Sequence, residues 1–400
     1  MTEKQILHIT NDEKFINGAY YLFEKAFPGQ NTYMVIKPPA DPPIRYLSKS
    51  LVANARFEIR SKSSVKCLIE MSSHYAVTVL HGMNKFNAAV FSGAPHKDRF
   101  MGIVHGAEIY NSGLMENNLM GEKTHRLYQE TTKRYTIYDR LKDVYRSFKY
   151  KNHDSLNEVD LTKILYQMMV FGSLPGMNYE EYIDKKLYNP FVQKVPFTYY
   201  PLEYLAKNDS LRASGGDILL GNSASATNNH LEAFDLLSGF DLKDRKMVTP
   251  LSYGCPRYAR EIKSEGTKQF GDRFVPLTSF LPIEEYNLIM SNCGIVIMNH
   301  YRPQAVGNII AALYMGSKVF LNDTNIYQYF NDLGCHIYSI KRDLVDTKEA
   351  FQLLSDEQVT HNRTTLSNIL GTSVLVDGIQ EAFTDIFDYE ATNRKREAIL

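Results

Sequence analysis

The feature that most limits the fold of this chain is a regular alternation of short apolar runs and amphipathic segments from residue 217 onward. The runs typical of strands are residues 217–221, 247–252, 274–277, 294–298 and 318–321. The segments with helical spacing of apolar residues are 230–237, 258–264, 283–291, 305–315 and 326–332. Strands and helices that alternate in this way form parallel sheets covered by helices on both faces. The pattern therefore predicts a doubly wound, Rossmann-like domain.

The first 110 residues show a similar alternation. Strand-like runs lie at 6–10, 32–36, 77–80 and 100–104, and helical spacing is found at 15–27 and 84–92. A small parallel sheet covered by helices is expected here. Residues 150–215 contain Pro175, Pro190, Pro196 and Pro201, which interrupt any long pattern, so we expect this stretch to be irregular.

Length supports a division into two domains, because 400 residues exceed what one hydrophobic core usually organises. The predicted N-terminal domain spans residues 1–215 and includes a helical insertion at about 112–215. The predicted C-terminal domain spans 216–380, and residues 381–400 are expected to form a closing helix. The fold class is therefore α/β, with two Rossmann-like domains and a cleft between them where strand ends of both meet.

Composition excludes several classes of protein. The 45 basic and 45 acidic residues cancel, so there is no overall positive field to bind nucleic acid. No apolar stretch approaches the roughly 18–20 residues of a membrane-spanning helix. The N-terminus lacks the pattern of a secretory signal, so a cytoplasmic location is expected. The four cysteines show no C-x-x-C spacing, which favours reduced thiols that pack in the core over a disulfide framework or a zinc site.

One segment is locally basic. Between residues 121 and 150 eight Lys and Arg residues are interleaved with tyrosines at 128, 135, 138 and 145 and with one phenylalanine. Two interpretations remain open at this point: a solvated pair of surface helices, or peripheral attachment to anionic lipid headgroups.

A loop rich in small polar residues follows the first strand of the C-terminal domain. It runs from Gly221 to His230 and contains Asn222, Ser223 and Asn229. Backbone N–H groups and a helix N-terminus in such a loop can approach a diphosphate, while neutral side chains add hydrogen-bond donors. The loop matches neither the G-x-G-x-x-G fingerprint nor the P-loop, so an ordinary capping turn is the alternative.

A second strand-to-helix junction carries a cation. Arg302 and Gln304 follow the strand at 294–298, and Gly307 and Asn308 lie in the helix that comes next. A guanidinium beside a helix N-terminus can neutralise phosphate charge. Glycine within a helix costs about 1 kcal/mol relative to alanine, which fits a close approach by a ligand or, alternatively, tight helix–strand packing.

Two His-Gly pairs end strands of the N-terminal domain. His81 and His105 each precede a glycine, and Glu108 follows three residues after His105. His105 or Glu108 could accept a proton from a substrate hydroxyl, whereas a lone strand-end histidine is often a hydrogen-bonded structural residue. We choose Glu108 as the candidate base because it is the only acid in either motif.

Other catalytic patterns are missing from the sequence. There is no Asp-x-Asp pair, H-E-x-x-H or G-x-S-x-G motif. We therefore expect a site that needs no divalent metal and no cofactor.

Together these residues resemble the bacterial 4-acetamido-4,6-dideoxygalactose (Fuc4NAc) transferases. The resemblance rests on His81-Gly82, Gly106–Tyr110, the loop from Gly221 to His230, the strand end Pro250–Tyr253, and residues 281–322. Where the family has Trp-Gly-Ala-Asp-x-Tyr, this chain has His105-Gly-Ala-Glu108-Ile-Tyr110, so the carboxylate is kept with a longer reach. Residues 112–215 show no clear match.

The resemblance implies a GT-B glycosyltransferase that takes a TDP-activated sugar to a polyprenyl-diphosphate-linked glycan of the enterobacterial common antigen. It also implies a peripheral location on the inner face of the bacterial membrane. The implied donor-binding residues, for a TDP- or UDP-sugar, are Asn222, Ser223, Asn229, His230, Tyr253, Arg302, Gln304, Gly307 and Asn308. The implied catalytic residues are Glu108, His105 and His81. A nucleotide-sugar epimerase and a non-catalytic binding subunit of the same architecture are the alternatives.

Overall fold

The computed structural model describes residues 5–110, 119–133, 160–206, 210–345 and 348–397. These residues form two compact units. The first unit contains the described parts of 1–115, 140–201 and 370–400, and the second contains those of 116–139 and 202–369. Along the described residues the chain changes unit four times: between 110 and 119, between 133 and 160, near 201 and near 370. The predicted boundaries were at 215 and 380.

The strands fall into two sheets in which every neighbouring pair is parallel. In chain order the strands are β1 Ile6–Thr10, β2 Asn31–Lys37, β3 Ala55–Ile59, β4 Val77–His81, β5 Phe100–Ile103, β6 Val170–Ser173, β7 Gln193–Pro196, β8 Ile218–Leu220, β9 Met247–Pro250, β10 Phe274–Leu277, β11 Ile295–Met298, β12 Lys318–Leu321 and β13 Tyr338–Ser339. The first unit has the order β3-β2-β1-β4-β5-β6-β7, and the second has β10-β9-β8-β11-β12-β13. The parallel α/β prediction is confirmed for both halves of the chain.

Helices connect the strands of each sheet. In chain order they are α1 Ile16–Ala26, α2 Lys49–Asn54, α3 Lys62–Ser72, α4 Lys85–Gly93, α5 Gly106–Tyr110, α6 Glu122–Lys133, α7 Leu161–Gln167, α8 Glu180–Asp184, α9 Leu202–Leu205, α10 His230–Ser238, α11 Pro256–Phe270, α12 Ile283–Ser291, α13 Val306–Met315, α14 Asn325–Asp332, α15 Ile340–Asp343, α16 Asp356–Leu370 and α17 Thr372–Glu397. Every one of these helices is too short or too polar to cross a lipid bilayer.

The central strands are apolar because both of their faces are covered. All residues of β1 and β4 are buried in the first unit, as are all those of β11 and β12 in the second. Parallel sheets covered on both sides produce such continuous apolar runs. A fully buried Leu, Ile or Phe side chain stabilises a fold by about 1.5–3 kcal/mol, so these strands anchor each unit.

The prediction that residues 150–215 are irregular is wrong. Strands β6 and β7 lie in this stretch and extend the first sheet by two strands beyond β5. Strand β7 ends at Pro196 and is the edge strand, where a residue without an N–H group is tolerated. The prolines lie near the ends of these short strands, so they are compatible with strand structure in this stretch.

Helix α6 also departs from the expectation that residues 112–215 belong to the N-terminal domain. It packs on α10 and α11 of the second unit. The backbone N–H of Thr124 donates to Glu232 Oε1 at 2.9 Å, the hydroxyl of Thr124 donates to Glu232 Oε2, and Lys123 pairs with Asp235. Only residues 121–133 of the basic segment lie within the described residues.

The C-terminal helix begins earlier than predicted, at Thr372 instead of residue 381. Its buried residues Leu375, Ile379 and Phe383 belong to the core of the first unit. The ring of Phe383 contacts that of Phe23, with 5.9 Å between centroids. Residues 370–380 are therefore grouped with the first unit because their apolar face packs there.

All four cysteines are free. Cys293 and Cys335 are buried, as expected for packing residues, but Cys67 and Cys255 are exposed. The prediction that every cysteine packs in the core is therefore wrong for two of them.

Candidate functional site

The first unit brings its three predicted catalytic residues together at the carboxyl ends of its strands. His81 is the last residue of β4, and His105 follows β5. The hydroxyl of Tyr199, three residues beyond β7, lies 3.0 Å from His81 Nδ1 and 3.2 Å from His105 Nε2. Parallel strands place their carboxyl ends at one edge of a sheet, which is why residues so distant in sequence meet.

Glu108 is held at this edge by the backbone. The N–H of His105 donates to Glu108 Oε2 at 3.0 Å. Gly82, with φ of +87°, lets the carboxylate approach, since a Cβ there would lie 2.8 Å from Glu108 Oε1. Any side chain at position 82 would therefore displace Glu108.

The electrostatics of the cluster favour neutral groups. Burial raises the pKa of Glu108 to about 7, although backbone N–H groups of Met83 and His105 favour its charged form. Burial lowers the pKa of His105 to about 4. The 3.8 Å approach of His105 Nδ1 to Glu108 Oε1 is therefore not an ion pair at neutral pH, because the imidazole is uncharged there. A carboxyl that titrates near neutrality is suited to accept a proton from a substrate.

Two members of this cluster were not identified from the sequence. His8, in the middle of β1, lies with its Nδ1 3.1 Å from His81 Nε2. Its own Nε2 lies 3.1 Å from Asn31 Oδ1, and its ring stacks on Tyr33. Burial lowers the pKa of His8 to about 3, so it is also neutral. Tyr199 was missed because it follows β7, a strand that the sequence pattern did not reveal.

In the second unit, the loop between β8 and α10 is organised by Asn228. Its Oδ1 accepts from the backbone N–H of Asn222 at 2.8 Å and contacts His300 Nε2 at 3.0 Å. Its Nδ2 donates to Ser223 Oγ at 3.2 Å. Gly221 has a φ of +68°, and a Cβ at this position would lie 2.7 Å from Asn228 Oδ1. Asn228 and His300 were not predicted as site residues, although His300 comes only two residues after the end of β11.

Gln304 connects this loop to the junction before α13. Its Oε1 accepts from the hydroxyl of Thr227 at 2.7 Å, and its Nε2 donates to Asn222 Oδ1 at 3.2 Å. The structure therefore brings together three of the predicted donor-binding residues, Asn222, Ser223 and Gln304.

Asn229 and His230 are fully buried at the end of the Gly221–His230 loop. Asn229 takes a left-handed conformation, and its Nδ2 donates to the carbonyl of Asn299 at 3.0 Å. His230 Nδ1 contacts the hydroxyl of Tyr258 at 3.1 Å, and burial lowers the pKa of His230 to about 3. Each of these two buried side chains thus has at least one internal partner, while Nε2 of His230 has none, and their predicted contact with the donor stays a prediction.

The amino end of α13 has no side-chain cap. Its cap residue, Ala305, is left-handed and offers no side chain to the first turn, which contains Gly307 and Asn308. Arg302 is 9% exposed and its Nη1 donates to the carbonyl of Pro303 at 3.2 Å. The Nδ2 of Asn308 donates to the hydroxyl of Tyr286 at 3.2 Å.

Tyr253 lies in the turn after β9 and is 42% exposed. Its backbone carbonyl accepts from the N–H of Ala224 at 2.6 Å, so this turn is joined to the Gly221–His230 loop.

A cavity of about 680 Å³ lies at the other end of α13. It is lined by residues that include Arg212, Met315 and Arg363, and by none of the predicted site residues.

The described residues also contain no group of three or more His, Cys, Asp or Glu side chains that could hold a metal ion.

A sequence model of the 4-alpha-L-fucosyltransferases, glycosyl transferase group 56, matches residues 47–336. This is well over half of the chain. The chain belongs to this family. The resemblance found in the sequence is thereby confirmed, and the protein is a glycosyltransferase.

Several solved structures share the fold. Sucrose-phosphate synthase from Thermosynechococcus elongatus gives a TM-score of 0.61 at 11% identity, covering 96% of this chain and 100% of that chain. The Anabaena protein HepE, solved in complex with UDP, gives 0.60 at 10% identity, covering 95% and 100%. A glycosyltransferase from Rickettsia africae gives 0.57 at 11% identity, covering 96% and 99%. The GT-B fold class predicted for this chain is confirmed.

Proposed function

We propose that this member of glycosyltransferase group 56 transfers a deoxyamino sugar of the Fuc4NAc type from a TDP-activated donor to a polyprenyl-diphosphate-linked glycan. Such a reaction belongs to the biosynthesis of a surface polysaccharide such as the enterobacterial common antigen. The family match supports the transfer chemistry, and the sequence motifs quoted above support the choice of sugar.

The observation that carries the donor side of the proposal is the amino end of α13. The first N–H groups of a helix have no partner within the helix and favour negative charge. Ala305 provides no side-chain cap for these N–H groups. Arg302, three residues earlier in the chain, carries a guanidinium. We assign the diphosphate of the donor to this position, with Gly307 and Asn308 contributing N–H groups.

The remaining donor contacts follow from the loop between β8 and α10. Asn222 and Gln304 supply neutral amide groups for the diphosphate or the sugar, and Ser223 supplies a hydroxyl. Tyr253 is assigned to the base. Asn229 and His230 hold the loop in its conformation from below, through their bonds to Asn299 and Tyr258. A UDP or TDP donor is further supported by HepE, which has been solved with UDP-glucose.

On the acceptor side, we assign Glu108 as the general base. As the acceptor hydroxyl attacks the anomeric carbon, its proton passes to the carboxylate of Glu108 and the new C–O bond forms. The bond from the anomeric carbon to the diphosphate breaks, and its electron pair leaves with the nucleoside diphosphate. A helix N-terminus and a guanidinium stabilise the charge that develops on that leaving group.

We also propose that the enzyme works at the inner face of the cell membrane, because its lipid-linked acceptor is there. The basic, tyrosine-containing segment at 121–150 supports this assignment from sequence. Each basic residue near an anionic bilayer contributes about 1 kcal/mol, screened by salt. Co-sedimentation with anionic vesicles, lost at high salt, is the expected result; equal binding to neutral vesicles would contradict it.

The decisive experiment incubates the enzyme with TDP- and UDP-sugars and a polyprenyl-diphosphate-linked disaccharide, and identifies products by mass spectrometry. Transfer of a deoxyamino sugar, with release of nucleoside diphosphate only when acceptor is present, is expected. Conversion of the donor to an isomer without acceptor would instead support the epimerase alternative. Donor binding with no turnover on any acceptor would support a binding subunit.

A further inference from the structure

The polar groups around Glu108 continue into the core of the first unit as one hydrogen-bonded series. It consists of five side chains, which we call the buried array: Asn31, His8, His81, Tyr199 and His105. Consecutive members are joined by contacts of 3.0–3.2 Å between side-chain atoms. Proton positions along such a series are not independent, because each neutral imidazole has one donor and one acceptor nitrogen.

The direction of the array is set at Asn31. Its Nδ2 faces three acceptors, the carbonyls of Phe23 and Phe27 and a carboxylate oxygen of Glu24, at 2.7–3.1 Å. The amide nitrogen must therefore point to these groups, and Oδ1 must point to His8. An amide oxygen only accepts, so His8 carries its proton on Nε2 and leaves a lone pair on Nδ1.

That choice determines the next two contacts. The lone pair of His8 Nδ1 can only accept, so His81 donates from Nε2. The remaining nitrogen of His81, Nδ1, then accepts from the hydroxyl of Tyr199. Both histidines are fully buried, and burial lowers the pKa of each, so neither carries a second proton that would reverse these roles.

The last contact reaches the candidate base. Because the Tyr199 proton is used by His81, its oxygen accepts from His105 Nε2–H. His105 Nδ1 then carries a lone pair and no proton, and this nitrogen lies 3.8 Å from Glu108 Oε1. Contacts between catalytic groups are often this long in a structure without substrate and shorten when substrate binds.

We propose that the buried array holds neutral His105 with its proton on Nε2, so that Nδ1 presents a lone pair to Glu108. When Glu108 Oε1 has taken a proton from the acceptor, its new O–H donates a hydrogen bond to His105 Nδ1. This bond stabilises the protonated acid. The opposite tautomer would donate to Glu108, favour its charged form and make it a weaker base. Tyr199 and His8 are positioning residues in this arrangement. The assignment rests on the proposed role of Glu108.

Other described titratable groups also face this carboxyl. Burial raises the pKa of Tyr188 and of Tyr199, and the charge of Glu108 adds to both effects. Glu13, in the loop after β1, adds to the effect on Tyr199. None of these groups is a cation, so burial and the hydrogen-bond donors to Glu108 together set its proton affinity, with burial the larger effect.

The test compares two Tyr-to-Phe variants of the full-length protein. Tyr199→Phe removes the link between His81 and His105. Tyr33→Phe removes a buried hydroxyl in the same cluster that makes no hydrogen bond, and it keeps the ring stacked on His8. The two variants lose the same atom, so only the hydrogen bond distinguishes them.

The first readout is the ¹⁵N spectrum of histidine-labelled protein at pH 7, which reports the proton position on each ring. In the wild type and in Tyr33→Phe, His8, His81 and His105 should all carry the proton on Nε2. In Tyr199→Phe, His105 should shift towards the Nδ1–H form. A wild-type His105 protonated on Nδ1, or a Tyr199→Phe spectrum with an unchanged His105, would overturn the proposal.

The second readout is the pH dependence of kcat/KM. Tyr199→Phe should move the acid limb to lower pH by about one unit, because His105 then donates to the carboxylate. Tyr33→Phe should leave the limb in place. The spectra do not depend on turnover, so the array can be confirmed even if no transfer is found, in which case only the proposed function fails.

Discussion

The polar cluster of the first unit and that of the second are built from different chemistry. The first joins imidazoles, a phenol and a carboxyl whose pKa values are all displaced by burial towards the neutral form. The second joins mainly carboxamides and hydroxyls, with the neutral imidazole of His300 on Asn228, and keeps a guanidinium beside a helix N-terminus. The cluster of the first unit is therefore suited to controlling where a proton resides, and that of the second unit to holding negative charge.

The largest expected effect tests the first half of this contrast. Glu108→Gln keeps the size of the side chain and removes the base, so turnover should fall by about 10²–10⁴-fold while donor affinity stays nearly unchanged. The measurement is kcat on the lipid-linked acceptor together with calorimetry of donor binding. Glu70→Gln, an exposed carboxylate on α3, is the matched control.

Two outcomes would remove Glu108 from the role of base. One is turnover of Glu108→Gln within threefold of the wild type. The other is retention of the anomeric configuration in the product, since an in-line attack assisted by a protein base inverts that centre. In a retaining reaction the donor phosphate can take the proton, and Glu108 would only position the acceptor.

The second half of the contrast is tested by Arg302→Ala. Loss of one charge-assisted hydrogen bond should weaken nucleoside-diphosphate binding by about 1.5–3 kcal/mol, which is about 10–150-fold. Isothermal calorimetry measures this loss, and the thermal midpoint checks that the fold is intact. Arg260→Ala, an exposed guanidinium on α11, should bind as the wild type does. Equal affinity in both variants would show that the diphosphate binds elsewhere.

A smaller effect, common to both clusters, is expected in the dependence of stability on pH. His8, His230 and His300 have pKa values lowered to about 3, and that of His105 is lowered to about 4, in each case by burial first. The unfolded chain binds protons at these histidines below about pH 6.5, while the folded chain does not, so stability falls as pH decreases from there. Glu108 acts in the opposite sense between pH 4.5 and about 7, but it is one group against several.

The measurement is the thermal midpoint at pH 7.5 and at pH 5, which should be lower at pH 5. His8→Gln removes one of the titrating groups and should lessen the drop. A midpoint that is the same at both values would show that these histidines are not held neutral.

The smallest expected effect is that of metal removal. The sequence has no Asp-x-Asp pair, and the proposed donor site neutralises charge with Arg302 and a helix end, so turnover should be unchanged in EDTA. Loss of activity that Mg²⁺ or Mn²⁺ restores would contradict the assigned leaving-group contacts.

The fold of the second unit was largely predictable because its strands are apolar, short and bounded by turns. The predicted runs at 274–277 and 318–321 coincide with β10 and β12. In the first unit the sequence did not reveal β3, where Arg56 and Glu58 stand within an edge strand, nor β6 and β7, which lie among prolines. Helix α6 joins the second unit through Thr124 and Glu232, a contact between residues 108 positions apart that no local pattern reports.

The candidate sites were predictable only where a residue stands at a recognisable strand end. His81 and His105 were found for that reason. His8 was not, because it lies inside the apolar run of β1 and its partner His81 is 73 residues away. Asn228 lies in a loop that was singled out, but only the structure shows that its side chain organises the others. Contacts between side chains on neighbouring strands depend on how the chain folds. A local sequence pattern can identify one residue of such a pair but not its distant partner.

The placement of α17 has a consequence for how the protein is made. Leu375, Ile379 and Phe383 complete the core that also contains Phe23, so this unit lacks part of its interior until residues 375–383 have been synthesised. The second unit, whose described residues end by 369, has no such requirement. Domains generally fold in the order of their synthesis, but here the N-terminal unit, begun first, is expected to be finished last.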